Sequence, residues 1–436
     1  MNFRNFTYFD YILFLSVLVL STTGILFIYS SGINSEGTLV SYEFVKQIIW
    51  GITGIFLMLA ITFIDYRRYA DRTFIMFSVA IFVLFYTRIF GRYVNGAKSW
   101  VGIGELGIQP SEFMKLVYIL YLAYFLDKSD RIESQFNRFL KSTLIMGVPL
   151  LLILSQPDLG TASVYIPIFL AMCFMAGIPL RYLGMVLFGG GLTVIFTVLP
   201  LWQASIFQHQ IPAIRILTDM QFTLITLVAL SIITVLALIG RLMFKARYYY
   251  WIAYATGILA AALLGSVAAS HVLKDYQIMR LIVFLDPKVD PLGSGWNIIQ
   301  SITAIGSGGP VGLGFLKGTQ SHYRFLPQQS TDFIFSILSE EWGFMGGLLV
   351  FALYSLIIAR GVVIIRKTEN SFGSLIATGI VAMFFFHFIV NIGMVMGMMP
   401  ITGIPLLFLS YGGSSLWTAM LATGFLMSIN MRRLDH

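Results

Sequence analysis

The densest chemistry in the sequence is Leu285-Asp286-Pro287-Lys288-Val289-Asp290-Pro291-Leu292-Gly293-Ser294-Gly295-Trp296. Each aspartate precedes a proline, which keeps the backbone out of helix, and the two glycines let it approach a ligand closely. A carboxylate held there can act as a general base or bind a cation. Asp-Pro is equally a plain turn former, and the letters alone leave both readings open. Just downstream, Gly306-Ser307-Gly308-Gly309-Pro310-Val311-Gly312-Leu313-Gly314 reads either as a backbone cradle for phosphate oxygens or as a hinge. It is not a nucleotide loop, because no strand precedes it and the Gly-Lys-Ser/Thr ending is absent. Lys274, Arg280, Lys317 and Arg324 flank it and suit a phosphate-bearing ligand or anionic headgroups. One cysteine, Cys173, and five scattered histidines exclude a disulfide framework and a cysteine- or histidine-built zinc site.

A second set of polar residues sits within apolar surroundings, where an ionised side chain costs about 2.5–3.5 kcal/mol and needs a partner, a cavity or an end position. Glu112 and Lys115 are three residues apart and can pair on one helix face. Asp332, Ser336 and Glu340 recur every fourth residue as one stripe, its ends roughly 12 Å apart along a helix axis. His387 and Asn391 repeat the spacing, and Asp158 stands at another segment end. Singly, each reads as an interface charge or a packing hydrogen bonder. Together they describe polar faces at one depth, as around a cavity open to the outside.

The elements that would position these residues are membrane helices. Only 11% of the 436 residues are charged and 58% are hydrophobic, against about 25% charged in soluble domains. Twelve segments are long and apolar enough to cross a bilayer: 11–31, 44–64, 74–90, 111–126, 140–156, 159–178, 182–200, 221–240, 250–269, 333–359, 373–398 and 405–428. The first reads as a retained span rather than a signal peptide. Seventeen of the 28 basic residues fall in alternate short loops and tails, which predicts both termini on the cytoplasmic side. Topology thus accounts for the basic excess, and no nucleic acid partner is implied. Aromatic–basic clusters such as 244–251 read as interface anchors. The long stretch 271–332 then lies outside, and its aliphatic content predicts a partly re-entrant element packed on the bundle. Residues 203–220, with Phe207, Ile211 and Ile214 on one face beside Arg215, read as an interfacial helix.

Ordered motifs along nearly the whole chain resemble the SEDS family (shape, elongation, division and sporulation). They include Asn95-Gly96-Ala97-Lys98-Ser99-Trp100, Gln109-Pro110-Ser111-Glu112-Phe113-Met114-Lys115 and Gln156-Pro157-Asp158-Leu159-Gly160-Thr161. Further along stand Asp275-Tyr276-Gln277, the 286–295 loop, Gly318-Thr319-Gln320, Phe325-Leu326-Pro327, Thr331-Asp332-Phe333, Asn391-Ile392-Gly393-Met394, Thr402-Gly403-Ile404-Pro405 and Ser410-Tyr411-Gly412-Gly413-Ser414-Ser415. The Asn-Gly-Ala and Gly-Thr-Gln forms are closer to the elongation branch than to the division branch.

The resemblance implies an all-α, polytopic membrane bundle in the bacterial cytoplasmic membrane. It would be one domain over 1–436, with the family's ten-span core, an inserted pair of spans within 203–270 and an extracytoplasmic catalytic loop at 271–332. The implied activity is a peptidoglycan glycosyltransferase that polymerises lipid II with inversion, for cell elongation and rod shape. Its essential loop aspartate falls on Asp290, with Asp286 second. Trp100, Glu112, Lys115, Asp158, Arg280, Asp286, Lys317, Arg324, Asp332, Glu340 and Asn391 would bind substrate. A divalent cation, Mg2+ or Mn2+, near Asp290 is compatible with pyrophosphate chemistry. Implied partners are a class B penicillin-binding protein as transpeptidase, other membrane proteins of the elongation machinery, and membrane lipids. Gln328 and Ser330 stand where relatives carry Glu and His, so no acid–base role carries over there. A lipid-linked sugar transporter or flippase, and a non-catalytic scaffold of a cell-wall synthase, are the rival readings of the same architecture.

Overall fold

The computed structural model describes residues 8–94, 97–103, 106–204, 211–272 and 275–433. Helix occupies all twelve apolar segments. In chain order the first part comprises α1 (Tyr11–Ser31), α2 (Glu43–Phe63), α3 (Thr73–Phe90), strands β1 (Arg92–Val94), β2 (Ala97–Ile103) and β3 (Leu106–Ile108), α4 (Pro110–Ser129), α5 (Gln135–Ser155), α6 (Leu159–Met175), α7 (Leu180–Trp202) and α8 (Arg215–Thr218). The second part comprises α9 (Met220–Phe244), α10 (Arg247–Val272), α11 (Asp275–Leu285), α12 (Ser294–Ser307), α13 (Thr319–His322), α14 (Ile334–Lys367), α15 (Ser371–Val395) and α16 (Gly413–Met431). Among the described residues nine helices are long and apolar enough to cross a membrane. The helix α6 is shorter, and α4 and α16 carry polar positions within their length.

The chain divides into two compact units, residues 1–178 with 297–436, and residues 179–296. In the larger unit α2 packs along α16, α15 packs against α6, α14 and α4, and α1 packs against α14. In the smaller unit α10 packs on α9 and α7. The helix starts follow from local chemistry. Asp10, Asp158 and Asp219 each accept from a backbone N–H in the first turn of α1, α6 and α9, which satisfies donors a helix end leaves unpaired. Pro110 opens α4 where a missing N–H costs nothing.

The longest helix is broken. Within α14, Gly343 has φ 62° and ψ −158°, a region that glycine alone enters without strain. The glycine-rich run satisfies the backbone groups freed by the break. Phe344 N and Met345 N donate to the carbonyls of Gly309 and Pro310 at 2.8 and 3.1 Å, while Leu313 N and Gly314 N donate to those of Glu340 and Glu341 at 3.0 and 2.9 Å. A Cβ on Gly308, Gly312 or Gly343 would collide with the opposing backbone. This run is therefore held against α14 rather than left as an open phosphate cradle or a flexible hinge: the Leu313 and Gly314 N–H groups and the Gly309 and Pro310 carbonyls repair the break.

Four expectations are corrected by the fold. The segment expected to span from 405 begins as helix only at Gly413, because Ile404 to Gly412 form an irregular stretch whose carbonyls accept from side chains of α15. The stretch 203–220 is not one interfacial helix. Pro212 opens a single 3-10 turn, α8 lasts one turn, Asp219 caps a new helix, and Ile214 is buried; Phe207 lies outside the described residues. Arg92–Val94, Ala97–Ile103 and Leu106–Ile108 form a three-stranded antiparallel sheet, β1-β2-β3, a local feature not expected within the helical bundle. Finally, Asp332 precedes α14 instead of continuing its stripe. The stretch 271–332 holds α11, α12 and α13, and the part of α12 from Asn297 is packed, with Ser301 bonded to Ser336 and to the Val395 carbonyl at 2.7 and 2.6 Å.

Gly343→Ala is expected to lower stability by about 1–3 kcal/mol, read as a fall in melting temperature of the detergent-solubilised protein. Gly347→Ala, whose new Cβ would meet the Phe335 ring at an ordinary 3.5 Å, is the neutral control. Equal melting of both variants would contradict a glycine-specific break.

Candidate functional site

Two groups of residues carry the chemistry, one in each unit. In the larger unit the centre is Lys115. Its ammonium donates to Glu112 Oε1 at 2.8 Å and lies 3.1 Å from His387 Nε2. The His387 Nδ1 is 2.9 Å from the Pro405 carbonyl. A carbonyl only accepts, so Nδ1 carries the hydrogen and Nε2 is left to accept from Lys115. The side chains of Lys115 and Glu112 are 1% and 3% exposed, so this pair is enclosed and does not line an open cavity as expected. Glu112 Oε2 is buried without a partner among the described residues. His387 is the residue that sequence reasoning left out of the site. Its signal was a lone imidazole within a long apolar run.

The other expected residues of this unit have separate partners. Asp158 caps α6 through Thr161 and accepts from Gln109 Nε2 at 2.9 Å. Asn391 donates to the carbonyls of Asp332 and Ile404 at 2.9 and 2.8 Å, which brings those two expected residues together through the backbone. Glu340 turns away from the stripe: its Oε1 accepts from Thr319 N, Thr319 Oγ1 and Gln320 N at 2.7, 3.0 and 2.8 Å. The neighbouring Glu341, also missed from the sequence, accepts from Ser30 Oγ and from Leu316 N. Two adjacent glutamates in an apolar span were the available signal. Burial pushes His322 below its ordinary imidazole value against the opposing pull of Glu340, so at neutral pH it faces Glu341, 3.7 Å away, as a neutral ring. Lys317 and Arg324 are exposed on this strap, and among the described residues neither bonds to the Glu112–Lys115 pair. Trp100 lies on β2 across Gly107, where an added Cβ would meet its ring at 2.9 Å.

The smaller unit holds the aspartate loop. Asp286 Oδ1 accepts from Lys288 N at 2.9 Å and starts a one-turn 3-10 helix over Pro287–Val289. The Asp290 carbonyl accepts from Gly293 N and Gly295 N at 3.3 and 2.9 Å. Its carboxylate folds over Gly293, where a Cβ would overlap both oxygens, and a Cβ on Gly295 would strike the Pro287 carbonyl. The glycines are thus required by close approach. Asp286 and Asp290 are half-buried, and Arg280 lies on α11, which leads into the loop. Lys274 lies outside the described residues.

No three His, Cys, Asp or Glu side chains gather as a metal cage among the described residues. The expected Mg2+ or Mn2+ would be held by the carboxylates of the aspartate loop, Asp286 and Asp290, and would supply charge for a pyrophosphate.

Removing one member of a buried ion pair costs about 3–5 kcal/mol because the survivor is stranded. Lys115→Met should therefore destabilise strongly, and Glu112→Gln added to it should recover most of the loss. Thermal unfolding of the single and double variants checks this coupling. An undiminished loss in the double variant would show that the two side chains act independently.

Comparison with known proteins places this geometry. The family model described as cell cycle protein, covering FtsW, RodA and SpoVE, matches residues 10–221 and 206–434. The chain is 57% identical over 434 residues to the peptidoglycan glycosyltransferase RodA of Treponema pallidum, covering 100% of both. It is 31% identical to stage V sporulation protein E of Bacillus subtilis, over 97% of this chain and 96% of that one. It is 32% identical to the peptidoglycan glycosyltransferase MrdB of Escherichia coli K12, over 87% and 83%. Among solved structures, a chain from a peptidoglycan synthase complex that coordinates polymerization and crosslinking superposes with a TM-score of 0.68 at 24% identity, covering 98% and 99%. The rod shape determining protein RodA of Thermus thermophilus gives 0.60 at 21% identity, covering 98% of each chain. The family match over nearly the whole length, the full-length identity and the shared helical fold establish that this chain is an integral membrane protein of the FtsW/RodA/SpoVE family of cell cycle proteins.

Proposed function

We propose that the protein is a peptidoglycan glycosyltransferase that polymerises lipid II at the outer face of the cytoplasmic membrane, releasing the lipid pyrophosphate. The observation that carries this is the 57% identity to the Treponema pallidum RodA along the complete length of both chains. The 286–295 loop adds local support, with a half-buried carboxylate folded over Gly293.

The acceptor sugar hydroxyl is far too weak an acid to ionise at neutral pH, so attack needs a base positioned for the transition state. Asp290 is assigned that role. The transfer inverts the donor carbon: the acceptor oxygen forms the new β-1,4 bond as the α bond to pyrophosphate breaks. The pyrophosphate leaves with the bond pair, and the hydroxyl proton passes to Asp290. Charge on the departing group requires cations, and Arg280, in the same unit as Asp290, is the candidate there. The 2.8 Å contact makes Glu112 the orienting partner of Lys115 rather than a second base. A class B penicillin-binding protein is the transpeptidase partner, a reading favoured by the synthase-complex chain that shares this fold.

Purified Asp290→Asn protein, shown to be folded by an unchanged melting temperature, should lose at least about 100-fold of its lipid II polymerisation, the usual scale of a general base. Near-normal glycan chains on a gel would overturn the base assignment. Co-expression with a class B penicillin-binding protein should yield a complex that survives detergent extraction and polymerises lipid II. Recovery of the two proteins apart, with unaltered activity, would remove that partner.

A further inference from the structure

The basic loops of this protein differ in how their charges are matched. Arg138 pairs with Asp130 at 2.8 Å, Lys141 with Glu133 at 2.6 Å and Arg360 with Asp10 at 2.7 Å, while Arg432 faces Asp65 at 3.9 Å. Among the described residues the cations at one end of the smaller unit have no such counterpart. Arg181 begins α7, Arg241 and Lys245 close α9, and Arg247 opens α10. Between Asp158 and Asp275 the sequence holds a single carboxylate, Asp219. It caps the opposite end of α9, roughly 37 Å away along a 25-residue helix.

Two of these cations converge on one aromatic ring. The Arg241 and Arg181 guanidinium carbons lie 4.8 and 6.0 Å from the centre of the same ring, Tyr250. Tyr254 donates to the Arg181 carbonyl at 2.7 Å. Gly184 and Gly240 are held bare where a Cβ would meet the Tyr254 hydroxyl at 2.9 Å and the Tyr249 ring at 2.7 Å. Lys245 adopts φ 53°, turning the chain from α9 into α10 within a few residues. Leu242, Met243, Phe244 and Trp251 beside this corner are all exposed. Uncompensated cations next to bare apolar surface match a molecule with a phosphate at one end and hydrocarbon at the other.

We propose that Arg181 and Arg241, which meet at the Tyr250 ring, with Lys245 at the end of the same helix as Arg241, form a binding site for the headgroup phosphate of an anionic phospholipid. Its acyl chains lie along the exposed apolar residues of α9 and α10. Loop bias alone explains why cations are on this side of the membrane. It does not explain why they meet at one ring with no carboxylate among them.

The full-length protein in dodecyl maltoside is titrated by native mass spectrometry with phosphatidylglycerol, phosphatidylcholine and inorganic phosphate. The unmodified protein should bind phosphatidylglycerol more tightly than phosphatidylcholine. Arg181→Gln/Arg241→Gln should lose about 30-fold of its phosphatidylglycerol affinity, and each single variant about fivefold. Arg181→Lys/Arg241→Lys should retain most of it, and Lys367→Gln in another basic loop should change nothing. Equal binding of the two lipids, or unaltered preference in the Gln variants, would overturn the site. Displacement of the lipid by equimolar inorganic phosphate would mark the cluster as a free-anion site and sink the lipid assignment. The single variants carry the test if the double variant does not fold.

Discussion

The constraint on which the rest of the larger unit depends is the pairing of backbone groups at the break in α14. Hydrocarbon offers no water to an unpaired N–H or C=O, and each costs several kcal/mol. A break at Gly343 is therefore tolerable only with a second piece of backbone against it. The glycine-rich run supplies that piece through donors and acceptors on both sides of the break. Gly308 and Gly312 are explained by proximity: with side chains there the two backbones could not meet. Once the run is fixed, the carboxylates of Glu340 and Glu341 tie down residues 316–321. Asp332, at the start of α14, is then held to α15 by Asn391.

Buried charge is the second organising term. Lys115 is enclosed with one carboxylate and one imidazole, and the Pro405 carbonyl fixes the imidazole's tautomer. Such an arrangement contributes little net stability compared with apolar packing. It does preset the direction of an ammonium. The aspartate loop in the smaller unit follows another strategy. Its carboxylate stays half-buried and folds over Gly293 in a turn shaped by glycine and proline.

The sequence was most legible where the physics is local. The apolar runs marked the helices because a span is a matter of length and composition, and the Glu112–Lys115 spacing announced its own pair. It was least legible where a polar group found its partner far along the chain. His387 and Lys115 are separated by 272 residues and Ser30 and Glu341 by 311, and no periodicity encodes such a meeting. Ile404 to Gly412 misled because apolar composition also describes an irregular segment, provided side chains from neighbouring helices satisfy its carbonyls. The three-stranded sheet around Trp100 escaped notice because short strands carry little periodic signal.

By itself the sequence determined a membrane helical bundle, its family and the loop in which Asp290 stands. Each of these follows from hydropathy, charge distribution or a contiguous motif. The tertiary structure decided that the glycine run repairs a broken helix rather than cradling phosphate, and that Lys115 is enclosed by Glu112 and His387. It also decided that Arg181 and Arg241, 60 residues apart in sequence, meet at the Tyr250 ring. The reason is common to all three: which donor meets which acceptor in a low-dielectric interior is set by the packing of helices distant in sequence, and a linear pattern does not contain that distance.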